Sequence, residues 1–285
     1  MTIEIDLKSG FCFGVVRAIG EAERALSSGG EVYSLGDIVH NRLEVTRLSS
    51  LGLRSIEREE LPSSNWSRVL IRAHGEPPAT YAQAQALGFE IIDATCPVVA
   101  TLQRHVKRAY EQMQECRGQV VLLGKRGHAE VVGLTGQVCD DVVVIEHESD
   151  LDAVDFARPI YFLSQTTQSV ALFESLAEQM RERISDPQQL VVRDTICRQV
   201  SSREDHLRAF VSRFDVVVFV CGRKSSNGKV LFEVCHAANE HTYNIEEASE
   251  IDPAWFNGVE SVGICGATST PSWLMESVAQ AIKEL

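Results

Sequence analysis

Six apolar runs of strand length, each closed by a polar turn, constrain this chain more than any other feature. They are VYSLGDIVHN (32–41), RVLIRAHGEPP (68–78), QVVLLGKRGHAEV (119–131), IYFLSQTTQSV (160–170), VVVFVCGRKSSNG (216–228) and SVGICGATSTP (261–271). Their apolar residues are near-continuous rather than alternating, the pattern of strands covered on both faces, and most runs lead into helix-like sequence. Parallel strands between helical layers satisfy both demands, so the expected fold class is α/β. The chain has 285 residues, which calls for two or three domains.

A second periodicity underlies the first. Cys12 precedes one pair of runs, Cys96 the next and Cys197 the third, at separations of 84 and 101 residues. Each stands before a helical stripe: Val15, Ile19, Ala22 and Leu26; then Val99, Leu102, Val106, Tyr110 and Met113; then Val200, Leu207, Phe210 and Val211. Pro97 suits the first turn of such a helix, where its missing N–H costs nothing. The chain therefore reads as a threefold repeat of cysteine, helix, strand, helix, strand. The other five cysteines (116, 139, 221, 235 and 265) share no such placement and read as structural thiols.

A helix N-terminus favours thiolate over thiol. Three thiolates gathered about one axis repel each other unless a metal lies between them. No C-x-x-C pair occurs, which disfavours zinc ribbons, thioredoxin sites and ferredoxin-type runs. Three distant cysteines suit a cubane iron–sulfur cluster with one iron lacking a cysteine; zinc held by three cysteines and a histidine is the rival.

The ends of the runs supply a second set of groups. His40, His74 and His128 each close a strand, the edge where open α/β sheets bind ligands. The stretches Lys224–Gly228 and Gly266–Ser269 offer hydroxyls, an amide and backbone N–H groups, which suit a phosphate or diphosphate. Neither G-x-x-x-x-G-K-[ST] nor G-x-G-x-x-G is present, which disfavours nucleotides. Glu130 is expected in the loop after His128, as an exposed carboxylate or, in a drier pocket, a proton donor of raised pKa. Gln165, Thr166 and Thr167 stand ready to orient that proton or to cap the next helix. With 40 acidic against 27 basic residues the formal charge is −13, which repels nucleic acid and anionic membranes. No apolar leader or spanning segment is read, so a soluble cytoplasmic protein is expected.

GFCFGVVRAI, VHN, AHG, DATCP, GHAE, SQTTQS, KSSN and GATSTP, in this order, resemble the LytB family, the 4-hydroxy-3-methylbut-2-enyl diphosphate reductases of isoprenoid biosynthesis. The resemblance covers nearly the whole chain. It implies a trefoil of three similar α/β domains with mostly parallel sheets around a central iron–sulfur cluster, divided as 13–95, 96–195 and 196–285 with 1–12. It further implies one [4Fe–4S] cluster on Cys12, Cys96 and Cys197, with one iron not ligated by cysteine. Glu130, Thr166 and His128 would be catalytic. His40, His74, His128, Thr166, Ser225, Ser226, Asn227 and Ser269 would bind the substrate. The implied partners are a small allylic diphosphate and an electron donor such as ferredoxin or flavodoxin, with no nucleic acid and no membrane.

Several positions depart from the family pattern: Phe13 for Ala, Val16 for an acid, Ala129 for Pro, Val200 for Thr and Glu204 for Gln. None is an implied ligand or site residue. Rival readings are another three-cysteine cluster enzyme, such as a hydro-lyase or a quinolinate-synthase-like enzyme, and a non-enzymatic iron–sulfur sensor.

Overall fold

The computed structural model describes residues 1–63 and 67–285. Twelve strands among the described residues form three sheets of four. Strand β1 (Thr2–Ile5) precedes the first sheet, which contains β2 (Val32–Leu35), β3 (Leu53–Ile56), β4 (Arg68–Ile71) and β5 (Glu90–Asp93) in the order β3-β2-β4-β5. The second contains β6 (Gln119–Leu123), β7 (Val143–Ile145), β8 (Ile160–Ser164) and β9 (Leu190–Val192) in the order β7-β6-β8-β9. In the third, β10 (Val216–Val220), β11 (Thr242–Ile245) and β12 (Ser261–Gly266) are joined by β1, in the order β11-β10-β12-β1.

One rule generates all three sheets. The first strand lies centrally, the second beside it, the third on its other side and a fourth at the far edge. In the third sheet the fourth place falls to β1, which runs parallel to β12 from Thr2↔Ser261 to Ile5↔Ile264. The pairs β2–β4, β6–β8 and β10–β12 are parallel. Each sheet therefore has a switch point between its first and third strands, where the loops part and leave a crevice.

The apolar runs explain the layering. β6, β8 and β10 are buried along their whole length. Alternate residues feed opposite faces, as the two-residue period of a strand requires. Val121, Leu123 and Phe162 enter one core with Phe173, Leu176 and Met180 of α6 (Val170–Arg183). Val120, Leu122 and Leu163 enter the other with Leu102, Val106 and Met113 of α4 (Pro97–Glu115). In the third sheet Val217 and Phe219 pack with Leu207 and Phe210 of α7 (Arg198–Val211) and with Leu231 of α8 (Ser226–Ala238), while Val218, Val220 and Ile264 meet Leu274, Val278 and Ile282 of α9 (Ser272–Lys283). The remaining helices are α1 (Phe13–Ser27), α2 (Arg42–Ser50), α3 (Pro78–Ala86) and α5 (Ala129–Thr135).

By contacts the chain forms two compact units. The first comprises Met1–Glu23, Asp37–Leu53 and Arg198–Leu285 and carries the third sheet. The second, Arg24–Gly36 and Arg54–Cys197, carries the second sheet and, apart from Leu53 at its margin, the first. No described helix is long and apolar enough to cross a membrane.

Candidate active site

The three repeated cysteines occupy equivalent places. Each lies between the fourth strand of a sheet and the next helix: Cys12 before α1, Cys96 before α4 and Cys197 before α7. Each backbone N–H donates to the carbonyl two residues beyond the third strand of that sheet. Cys12 donates to Thr268 at 3.1 Å, Cys96 to Ala73 at 3.0 Å and Cys197 to Thr166 at 2.9 Å. Cys12 and Cys96 then open their helices, their carbonyls accepting from the Val16 and Ala100 N–H groups. All three are half-buried, whereas Cys221, Cys235 and Cys265 are buried and Cys116 and Cys139 exposed. Half-buried cysteines at the positive ends of helices of 15, 19 and 14 residues are suited to be metal ligands. As a donor set they fit an iron–sulfur group.

Glu130 is not in a loop, as expected from the sequence, but is the second residue of α5. His128 caps this helix, its Nδ1 accepting the Glu130 N–H at 3.2 Å. Histidine is outside the usual capping set and the helix has only seven residues, so neither its start nor its length left a strong sequence signal. The Glu130 carboxyl is 2% exposed. Its Oε1 accepts the Thr166 N–H at 2.7 Å and its Oε2 the Thr166 hydroxyl at 2.8 Å. Burial pushes its pKa up to about 7, against the downward pull of the two Thr166 hydrogen bonds. Thr166 thus joins the buried acid on one side to the backbone of Cys197 on the other.

His128 is oriented from behind. Its Nδ1 also lies 3.1 Å from Gln165 Nε2, and Gln165 is fully buried. Gln165 Oε1 accepts the Lys125 N–H at 3.0 Å, which makes Nε2 the donor toward the ring. With Nδ1 accepting twice, the assigned neutral tautomer carries its proton on Nε2. His74 meets His128 edge-on, with ring centroids 5.3 Å apart. The backbone beneath is tight: a Cβ on Gly133 of α5 would stand 3.2 Å from the Gly75 oxygen and 3.3 Å from that of His74.

The first unit holds a separate polar cluster. Ser225 caps α8, its Oγ accepting the Gly228 N–H at 3.0 Å and the Ser269 hydroxyl at 3.0 Å. Asn227 Oδ1 accepts the Thr268 N–H at 3.2 Å and hydroxyl at 2.6 Å. Ser225, Asn227 and Ser269 are buried, and Ser226 is half-buried. Asn227 Nδ2 is a buried donor with no hydrogen-bond partner among the described residues. His40 borders this cluster through its backbone: a Cβ on Gly222 would stand 2.2 Å from the His40 oxygen, so only glycine lets the two loops approach this closely. Thr268 lay within the polar Gly266–Ser269 stretch, though not with its role of holding Asn227; sequence reasoning missed the Asn41 cap of α2, for which Asn41-Arg-Leu-Glu44 was a signal.

Three parallel α/β sheets, each with a half-buried cysteine at a helix head, and a buried acid linked through Thr166 to the backbone of Cys197 suit an iron–sulfur oxidoreductase. The family model described as "LytB protein" matches residues 3–283. A 4-hydroxy-3-methylbut-2-enyl diphosphate reductase of Parabacteroides distasonis is 52% identical over 283 residues, covering 99% of this chain and 98% of that one. The reductase of Porphyromonas gingivalis is 49% identical, covering 99% of each. A solved structure of (E)-4-hydroxy-3-methyl-but-2-enyl diphosphate reductase, the terminal enzyme of the non-mevalonate pathway, aligns over 100% of both chains with a TM-score of 0.73 at 33% identity. A Plasmodium falciparum structure, at 22% identity and a TM-score of 0.85 over 98% of this chain and 86% of that one, shares the fold. The chain belongs to the LytB family.

Proposed function

We propose that the chain reductively removes the allylic hydroxyl of 4-hydroxy-3-methylbut-2-enyl diphosphate, giving isopentenyl and dimethylallyl diphosphates in the non-mevalonate isoprenoid pathway. Two electrons and two protons are consumed and water leaves. The observation that carries this reading is the continuous link from Glu130 through Thr166 to Cys197. It supports a proton-donor role for Glu130: a carboxyl of pKa about 7 is linked through Thr166 to the backbone N–H of Cys197.

Cys12, Cys96 and Cys197 hold one [4Fe–4S] cluster, with one iron left without a cysteine. When bound, the cluster supplies one-electron redox chemistry and a Lewis-acidic iron. Near neutral pH about half of the Glu130 population carries the proton that the leaving hydroxyl needs. The Thr166 hydroxyl orients the carboxyl, and burial of both residues keeps bulk water from competing for that proton. Gln165 keeps the His128 Nε2 proton available as a donor. Substrate binding falls to His74, His128 and Thr166, and to His40, Ser225, Ser226, Asn227 and Ser269. Of these, the Ser225–Asn227 segment lies at the positive pole of α8 and brings the Asn227 Nδ2 donor. The three-domain division 13–95, 96–195 and 196–285 with 1–12 is supported by the sheet membership of β1. The electron donor is a ferredoxin or flavodoxin, and the cytoplasm, where eight cysteines stay reduced, is the location.

The test is anaerobic turnover of the hydroxymethylbutenyl diphosphate with reduced methyl viologen. Two viologen radicals oxidised per product formed is the expected stoichiometry. Substrate consumption with no electron donor would refute the reductase in favour of a hydro-lyase type of reaction.

A further inference from the structure

Beside Cys12, the first unit carries an open groove of about 580 Å³. Phe11, Phe13 and Val16 form its apolar wall. Phe13 and Val16 are 56% and 55% exposed and three residues apart on α1, so they present one face. Large apolar side chains grouped in this way on a surface mark a contact site. Lys8, Arg203 and His206 form the polar wall, and no carboxylate is among the described lining residues. His206 is paired at 2.8 Å with the buried Asp6 and Arg203 is held by the Gly10 carbonyl, so the exposed Lys8 is the cation at the rim. In a chain of formal charge −13, a lining that carries cations and no carboxylate favours an acidic partner.

The walls are fixed to one another. The Phe13 N–H donates to Gln199 Oε1 at 3.1 Å, tying the head of α1 to α7. Arg203 Nη1 donates to the Gly10 carbonyl at 2.8 Å, tying the loop before Cys12 to the same helix. The apolar wall begins one residue from Cys12.

The reductase reaction needs two electrons from outside, and the chain carries neither of the common nucleotide-binding patterns. A docking surface for the donor should lie next to a cluster ligand, be preformed and complement the donor in charge. We propose that this groove is the docking surface for a small acidic electron-transfer protein; the proposal rests on the reductase reading. Each encounter oxidises one reduced donor by one electron. Two encounters with two protons balance the C–O bond broken, the water released and the C–H bond formed. A small apolar centre with a cationic rim suits the weak, transient interfaces of electron-transfer pairs.

The experiment compares native holoenzyme with the Lys8→Glu/Val16→Glu double variant, using two donors: a reduced bacterial ferredoxin of acidic surface and reduced methyl viologen, which is small enough to need no groove. Lys8 and Val16 are exposed, so the variant should fold. The expected result is a rise of roughly tenfold or more in the KM for ferredoxin, with a flatter dependence on salt and unchanged viologen-driven turnover. Ferredoxin binding measured by calorimetry on the cluster-loaded enzyme should weaken in parallel, whereas the single variant Lys8→Arg, which keeps the charge, should bind as the native enzyme does. Unchanged ferredoxin binding and KM would overturn the proposal. So would an equal loss with viologen, or a change of sedimentation that assigns the groove to a second copy of the chain. Failure of the native enzyme to turn over with viologen would instead reject the reductase reading, while ferredoxin binding still reports on the groove.

Discussion

Replacing Glu130 by Gln tests the buried acid where its physics is most exposed. The carboxyl has a pKa of about 7, raised from 4.5 by burial. A general acid acts in its protonated form, so its contribution is full well below pH 7 and falls as pH rises through that value. The protonated fraction is about one half at pH 7 and about one eleventh at pH 8, a fall of roughly fivefold, with roughly a further tenfold by pH 9. A bound diphosphate adds negative charge and moves this limb upward. Glutamine retains an oxygen for the Thr166 N–H and an amide for the Thr166 oxygen, so the packing survives while the titration is removed. Viologen-driven turnover should drop by about 10²- to 10⁴-fold and lose its limb above pH 7. The same shift bears on stability. Because the folded pKa lies above the unfolded one, the contribution is complete below about pH 4.5 and lost as pH rises through about 7, on the order of 3 kcal/mol in all. Urea unfolding across that window should therefore show the variant gaining on the native protein as pH rises. A variant that kept the alkaline limb, or a native limb well below pH 7, would refute the reasoning.

Four further substitutions, one of them a control, read other parts of the structure. Cys96→Ser should abolish the full iron and sulfide content after anaerobic purification, whereas Cys139→Ser, at an exposed position, should leave it intact. Gly222→Ala forces a methyl to 2.2 Å from the His40 oxygen and should cost about 1–3 kcal/mol, seen as a lower urea midpoint and a raised substrate KM. Asn227→Ala removes the acceptor for both Thr268 donors and the buried Nδ2, and should weaken binding of a diphosphate product by roughly tenfold or more in calorimetry.

The parts of the fold legible in the sequence are those buried on two faces. The six apolar runs contain β2, β4, β6, β8, β10 and β12, the two central strands of every sheet. The six strands outside those runs are the edge strands, three or four residues long and with mixed exposure, such as the Glu90–Asp93 pattern of exposed ends. One open side removes the need for a continuous apolar run, and the signal goes with it. The site divides in the same way. Cys12, Cys96 and Cys197 were visible because a helical stripe followed each. Glu130 was visible as a residue type in a suggestive place, but its near-complete burial and its hydrogen bonds to Thr166, 36 residues away, are set by tertiary contacts. Gln165 and Thr268 act through contacts no local pattern encodes.

The pairing of β1 with β12 also sets a timetable. Residues 2–5 are made well before their partners, Ser261–Ile264, which lie 259 residues later. At about 5–20 residues per second, synthesis leaves the N-terminal strand without its sheet for roughly 13 to 52 s. Throughout that interval the Cys12 backbone also lacks the Thr268 carbonyl that holds it. The backbone setting of Cys12 is thus completed only after residue 268 has been made, long after Cys12 itself.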